Sequence, residues 1–599
     1  MPNKTSSSTK LLVIGVDAGT LDLIEPFAAE GGLPHISSLM ARGAFGTARS
    51  TLPPSTYPAW TTFMTGVGPG RHGLMDFCLR EPGRYAVRFA SARDRRAATL
   101  WSRLSRAGKR VAVVGMPATH PPEPLNGCMI SGFDSPLAYR WDPGFVLPRS
   151  YYREITRAVG PYRFSACRED HVDESWHDRA KEEIRGALEQ QTRVAEYLLG
   201  REAWDCFAVV FGQTDTACHH FWMFHDPHSP RFPGRGSPEV ARHRGFIREV
   251  YQRVDASIGR LLARTGPETA VLLVSDHGAG GTGSGVLYLN RWLAGEGWLA
   301  FRKEAPWDRL LGGLKGFGLK RLPRRWQQAA LRRGGRRLAG KVESRLRFGG
   351  IDFSRTRAYS EEWNSFPGVW VNLRGREPEG VVEAGAYEGL REAIIRSAES
   401  LRDPRTGRKI LRRALRREEA FSGPCAGRAP DVVLDPALEP GPTEGARGYA
   451  YSFLMSGGLT GEGGGTSWFR ELRPEERAGA RGRGMNGTHR PEGFFVFSGP
   501  GVRPGRRPER AALADFAPTL LAYLGVQPAA GLTAGMEGRI LEEMFEASAI
   551  DAIPGKSPAT APPVEEIFEA GFPPAASGAG EPPWEMETAR RLRELGYLE

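Results

Sequence analysis

The chain has 599 residues, 81 lysines and arginines against 69 aspartates and glutamates for a net charge of +12, and 40% hydrophobic residues. That length accommodates up to four domains of roughly 150 residues, or one elaborated α/β domain, and excludes a hormone-sized peptide or a small stapled scaffold. With 25% charged residues of nearly balanced sign and enough apolar residues for a large core, a wholly disordered chain is excluded as well.

Residues 1–10, MPNKTSSSTK, read as a flexible terminus without a leader-like apolar stretch. No run of about 18 apolar residues occurs anywhere, so the expectation is a cytoplasmic protein with no membrane span. The first strand is LLVIGVD (11–17), and PPSTYPAWTTFMTG (53–66) follows as a turn leading into a helix, with Pro58 in its first turn. His72, in GRHGLMDF, reads as a loop-packing residue. Further apolar runs are RVAVVGMPA (110–118), FAVVFGQTD (207–215), AVLLVSDHG (270–278), DVVLD (431–435) and FFVFSGPG (494–501), with helical patterns over Glu183–Leu199 and Val240–Ala263. Their β-branched, uninterrupted character is what strands covered on both faces require. The fold class is therefore α/β: a doubly wound, mostly parallel sheet flanked by helices, with ligands at the carboxyl ends of its strands.

Between Phe301 and Arg347 stand 15 basic and 3 acidic residues, so the rest of the chain is close to neutral. Two basic amphipathic helices separated by Pro323 are expected there, as an inserted cap over 295–370 within a catalytic domain spanning 11–545. Three roles suit such a cap: solvated helices packed on the body, a rim steering anionic substrates, or a peripheral contact with anionic membrane. Ser456–Gly484 is glycine-rich and reads as a long mobile loop. Residues 546–599 read as a Pro/Ala-rich tail closing in a short helix near Thr588–Leu595. Cys78, Cys128, Cys167, Cys206, Cys218 and Cys425 lack CxxC spacing and read as buried thiols. No nucleic-acid-binding motif stands out.

Potential metal ligands lie beside several of these strands: Asp17, then Asp215 and His219, then Asp276 and His277, and finally His489. Carboxylate with imidazole suits zinc, or manganese where oxygen dominates, and six such groups suffice for two divalent ions. Asp215 and His219, four apart, share one helix face, whereas His220 points about 140° away. Thr56 lies near a helix N-terminus whose amides and dipole would hold a phosphoryl group. A hydroxyl there, bound to a metal ion, loses its proton near neutral pH and can attack phosphorus. On spacing alone Ser55 serves equally.

The motifs VIGVDAGT, PPSTYPAWTTFMTGVGPGRHGLMDF, FGQTDTACHHFW, LLVSDHG, GTHRPEGFFVFSGPGV and ADFAPTLLAYLGV, in this order over residues 13 to 526, resemble the alkaline phosphatase superfamily and within it the type I phosphodiesterase/nucleotide pyrophosphatase branch. The closing RRLRELGYLE is similar too. The resemblance implies an alkaline phosphatase-like fold, Asp17, Thr56, Asp276 and His277 around one metal, and Asp215, His219 and His489 around the other. It selects Thr56 over Ser55, through the Thr-aromatic-Pro match of Thr56, Tyr57 and Pro58, as the nucleophile of a covalent phosphothreonine route on phosphorylated small molecules. Related pyrophosphatases carry an Asn soon after that motif; here Ala59 and Trp60 follow, so backbone amides near Tyr57 must serve instead. Trp60 reads as core, with a base-stacking wall as the alternative. Asn486 could orient substrate or cap a turn.

The runner-up readings are a phosphomonoesterase or phosphomutase of the same superfamily and a non-catalytic protein that binds anionic surfaces. An actin-like sugar kinase shares GVDAGT but leaves SDHG and GTHR unexplained, GGLKGFGLK (312–320) lacks a P-loop ending, and no C/S-x-P-x-R supports a formylglycine sulfatase.

Overall fold

A computed structural model describes residues 10–132, 141–164, 175–302, 344–345, 347–362, 366–439, 448–455, 467–477, 485–526 and 535–547. The terminal stretch, most of the basic cap, Cys167 and the Pro/Ala-rich tail lie outside the described residues. Among the described residues no helix is long and apolar enough to cross a membrane.

The central sheet has eight strands, in spatial order Ala44–Arg49, Glu492–Ser498, Ala270–Val274, Leu11–Val16, Cys206–Phe211, Val111–Met116, Gly127–Ser131 and Val146–Leu147. The five from Ala270–Val274 to Gly127–Ser131 are parallel, while Glu492–Ser498 runs antiparallel to Ala270–Val274. Leu11–Val16, Cys206–Phe211, Val111–Met116 and Ala270–Val274 are buried at every position, which explains their unbroken apolar sequences. Helices Trp176–Arg201 and Phe246–Leu262 pack against each other, as do Thr56–Thr65 and Leu513–Tyr523. The pattern expected over Val240–Ala263 is divided into Pro238–His243 and Phe246–Leu262, with Gly245 capping the second helix. Cys128, Cys206, Cys218 and Cys425 are buried free thiols, whereas Cys78 is only half-buried.

Two expectations are corrected. The run DVVLD does not join the central sheet: Val432–Pro436 is antiparallel to Gly368–Val371 and Leu411–Arg416 in a separate four-stranded sheet with its own core around Trp292, Tyr359, Trp370, Ile394 and Leu411. Hydrophobic run length reports burial on two faces, not which sheet supplies it. Second, within the glycine-rich stretch Ser456–Gly484, residues Phe469–Glu471 form a strand antiparallel to Gly278–Leu287. The latter, GAGGTGSGVL, is a strand composed largely of residues that disfavour strands. Close packing demands them: a Cβ at Gly278 would sit 2.1 Å from the Glu492 carbonyl oxygen, and one at Gly487 on the facing strand 2.1 Å from that of Cys218.

His72 is fully buried at the end of the short helix Pro69–His72 that follows Thr56–Thr65. Its Nδ1 accepts from the Leu74 amide at 3.1 Å, so the neutral ring donates from Nε2 to Thr62 Oγ1 at 3.0 Å. Burial, and then the nearby Arg95, lower its pKa from 6.5 to about 3. The unfolded chain takes up this proton first, so the stabilisation is complete above pH 6.5 and is lost as pH falls toward 3. Urea unfolding at pH 4.5 should show a loss of about 2–3 kcal/mol from this group relative to pH 7, and His72→Gln should remove that share of the pH dependence.

Candidate active site

Every candidate ligand is delivered by an element of known register. Asp17 follows Leu11–Val16, its amide donating to the Phe211 carbonyl at 3.0 Å, and Asp276 and His277 follow Ala270–Val274. The chain turns at Ala18 with a φ of 57°, which aims the Ala18 amide at Asp276 Oδ1, 3.3 Å away. An alanine in this left-handed region is strained by about 1 kcal/mol, a cost tolerated here because the turn joins two strand ends. Asp215 and His219 occupy successive turns of Gln213–His225, and His489 lies on Gly487–Arg490, whose pairing sets it opposite Ala279.

These six side chains form two clusters, Asp17 with Asp276 and His277, and Asp215 with His219 and His489. Within each, the potential ligand atoms lie within 4.8 Å of one another. His277 Nε2 is 3.6 Å from Asp17 Oδ1 and 3.2 Å from Asp276 Oδ2. Asp215 Oδ1 is 3.0 Å from His219 Nε2 and 3.3 Å from His489 Nε2. The clusters touch: the His277 and His489 rings stack with centroids 3.7 Å apart.

Each imidazole is oriented through its other nitrogen. Nδ1 of His219 meets the Gly487 carbonyl at 2.7 Å, that of His277 the Gly278 carbonyl at 3.1 Å, and that of His489 the Pro54 carbonyl at 2.8 Å. Bonding of this kind fixes the tautomer and points Nε2 into the cluster, as metal-ligating histidines require. Burial, with the like charge of His489 next, pushes His277 well below its ordinary pKa, which keeps its ring neutral. Asp276 moves the opposite way: burial and the neighbouring Asp17 and Asp215 carboxylates raise it well above the usual range. Burial also disfavours ionised Asp215, but His219 and His489 outweigh it and hold that group well below its ordinary value.

The donor set fits divalent cations. Thr56 Oγ1, Asp276 Oδ2 and His277 Nε2 are buried and make no hydrogen bond, the last two facing each other closely without hydrogen-bond geometry. Three oxygen and three nitrogen donors, two histidines being on one side and one on the other, match zinc, with manganese the oxygen-tolerant alternative.

Thr56 is the first residue of Thr56–Thr65, and Ser55 is its N-cap. The Ser55 side chain makes no capping bond and its Oγ lies 3.4 Å from Asp76 Oδ1. The two hydroxyls are thus distinguished: Ser55 Oγ is turned to Asp76, and Thr56 Oγ1 is buried and makes no hydrogen bond. Two residues before Thr56 in the chain the Pro54 carbonyl holds His489, and four residues after it Trp60 Nε1 donates to Asp17 Oδ2 at 3.2 Å.

The structure assigns packing roles to the remaining candidates. Tyr57 is buried with its ring 4.3 Å from that of Phe77, and Trp60 is wholly inside the core, with no face for a base. Asn486 clamps the helix that carries His219, accepting from the Met223 amide and donating to the His220 carbonyl, both at 2.9 Å. His220 faces Trp176, its ring centroid 4.8 Å from the indole. The link from Trp60 to Asp17 was not foreseen from sequence; Gly15, two residues before Asp17, is its trace, since a Cβ there would meet the indole at 2.6 Å.

Trp60→Phe keeps most of the ring and deletes the donor to Asp17. It should weaken metal affinity about 10- to 100-fold in a calorimetric titration while far-UV circular dichroism stays unchanged.

A cavity of about 360 Å³ opens beside this site, lined by His219 and His489 and by Leu434 of the second sheet, with Phe366 just before that sheet's strand Gly368–Val371. The family model for type I phosphodiesterase / nucleotide pyrophosphatase matches residues 11–442. Among solved structures, phosphonoacetate hydrolase from Sinorhizobium meliloti 1021 in complex with phosphonoformate is 15% identical, over 85% of this chain and 94% of that one, with a TM-score of 0.44. Human ectonucleotide pyrophosphatase / phosphodiesterase 5 is 13% identical, over 87% of this chain and 96% of that one, also with a TM-score of 0.44. No curated protein matches the chain.

Proposed function

The chain belongs to the type I phosphodiesterase / nucleotide pyrophosphatase family, which makes it a hydrolase acting on phosphoester bonds, and from that premise we propose a metal-dependent phosphodiesterase working through a covalent phosphothreonine at Thr56. The observation that carries the reading is that Thr56 bears a buried hydroxyl without a hydrogen bond and that its chain neighbours on both sides are tied to the clusters, Pro54 to His489 and Trp60 to Asp17. Asp17, Asp276 and His277, with Thr56, would hold one cation, and Asp215, His219 and His489 the other. Bound divalent cations supply Lewis-acid stabilisation of charge on the attacking and leaving oxygens.

Thr56 Oγ1 attacks phosphorus in line, giving its proton to solvent; the new oxygen–phosphorus bond replaces the one to the leaving alcohol or phosphate. Water then displaces Thr56 Oγ1 from phosphorus, and the hydroxyl recovers a proton. The amides at the start of Thr56–Thr65, which the Ser55 side chain does not cap, and the helix dipole favour the non-bridging oxygens, in place of an asparagine donor. His219, His277 and His489 stay positioned through their Nδ1 contacts in both steps.

On bis-p-nitrophenyl phosphate, Thr56→Ala should lower kcat by about 10³-fold or more, and Ser55→Ala by less than about tenfold. Equal rates for wild type and Thr56→Ala would exclude the nucleophile. Chelation should abolish turnover and zinc or manganese restore it, with about two metal equivalents per chain by elemental analysis.

A further inference from the structure

The strand Gly278–Leu287 changes partners midway. Its first half pairs antiparallel with Gly487–Arg490, Gly281 standing opposite Gly487, and the Thr282 amide donates to the Asn486 carbonyl at 3.0 Å. Its second half pairs with Tyr449–Phe453 and Phe469–Glu471, and the register shifts between Thr282 and Val286. The next rung with the first partner would set Gly283 against Met485. A side chain stands there instead. Arg231, wholly buried, donates from Nε to the Gly283 carbonyl at 2.8 Å and from Nη1 to the Met485 carbonyl at 2.6 Å. Its Nη2 reaches Ser452 Oγ, on Tyr449–Phe453, at 3.3 Å. One planar fork thus fastens three strands where their pairing changes, and only a guanidinium carries its donors in that fixed arrangement.

Burying this cation is costly: burial pulls its pKa from 12.5 to about 9, which still leaves it charged at neutral pH. An apolar residue would fill the space without that cost. What the guanidinium adds is position. Met485 precedes Asn486, whose amide donates to the His219 carbonyl at 2.9 Å, and Gly487, whose carbonyl orients the His219 ring. His489 follows on the same strand, opposite Ala279. Arg231 is itself anchored just beyond the helix Gln213–His225 that carries Asp215 and His219. Its amide donates to Ser229 Oγ at 3.2 Å, and the Ser229 amide donates to the Asp226 carbonyl at 3.1 Å.

We propose that Arg231 is a positioning residue for the cluster of Asp215, His219 and His489, holding the helix and the strand that carry it at one separation and so setting its affinity for a cation. The proposal rests on the reading that each cluster holds a cation. The other cluster, Asp17 with Asp276 and His277, is carried by the ends of Leu11–Val16 and Ala270–Val274, which pair with each other in the central sheet.

Calorimetric titration of the metal-free full chain with zinc tests it. Wild type should show two binding steps. Arg231→Met should weaken one of them about 10- to 100-fold and leave the other within about twofold, with Arg231→Lys, which keeps the charge without the fork, in between. Ser452→Ala, which removes only the acceptor of Nη2, should weaken the same step by less. Excess zinc should return kcat of Arg231→Lys on bis-p-nitrophenyl phosphate toward wild type, as the loss of a merely structural prop would not allow. Unchanged titrations in every variant that keeps its far-UV circular dichroism, equal weakening of both steps, or a kcat that excess zinc does not restore overturns the proposal. Should Arg231→Met unfold, Arg231→Lys and Ser452→Ala decide by the same outcomes. Should wild type take up fewer than two zinc ions, the two-cation reading fails, and hydrogen exchange in Arg231→Lys decides the residue separately. Faster exchange at the amides of 486–489 supports the fastening, and unchanged exchange overturns it.

Discussion

Three carboxylates, Asp17, Asp215 and Asp276, are buried at one end of one sheet, and concentrating that much negative charge away from water is the constraint to which the surrounding structure answers. In a dry setting such groups either take up protons or acquire positive partners. Both responses are visible. Asp276, with like charges for neighbours, is pushed toward its protonated form, and Asp215 is held ionised by two imidazoles. Divalent cations would satisfy all three at once, which is why the donor set, more than any single residue, points to metal-assisted chemistry.

Keeping such a cluster open and oriented falls to groups that never touch a phosphoryl oxygen. Backbone carbonyls of Gly487, Gly278 and Pro54 turn three imidazoles, and the indole of Trp60 occupies one oxygen of Asp17. Asn486 holds the Gln213–His225 helix by two backbone groups, so that His219 and the strand carrying His489 move as one piece. Most of these supports belong to helices and strands, and together they fix the orientation of the clustered side chains.

Five of the eight central strands, and the ligands that follow them, were legible because each is announced locally by an unbroken apolar run and then a polar residue where the strand ends, whereas Ala44–Arg49, Gly127–Ser131 and Val146–Leu147 carry no such signal. Helix spacing likewise placed Asp215 and His219 on one face. What could not be read depends on contacts between distant stretches of chain. The strand Gly278–Leu287 looks like a loop by composition, because its glycines answer to crowding from the Glu492 backbone and the Arg490 side chain. The run DVVLD is apolar in either sheet, and nothing local distinguishes them. Trp60 was seen as core, yet its bond to Asp17 requires knowing that a helix crosses the first strand at Gly15.

One junction separates inheritance of chemistry from inheritance of specificity. Leu287 and Phe469 are paired neighbours, so the chain departs from and comes back to a single spot on the body. Thr56 and all six clustered ligands lie outside that excursion, whereas Phe366, Leu434, Leu438 and Met455 lie inside it. Exchange at this one doorway would replace the part of the cavity wall that residues 288–468 supply while leaving the clustered side chains and the share of the wall from Leu52 and Met485 in place.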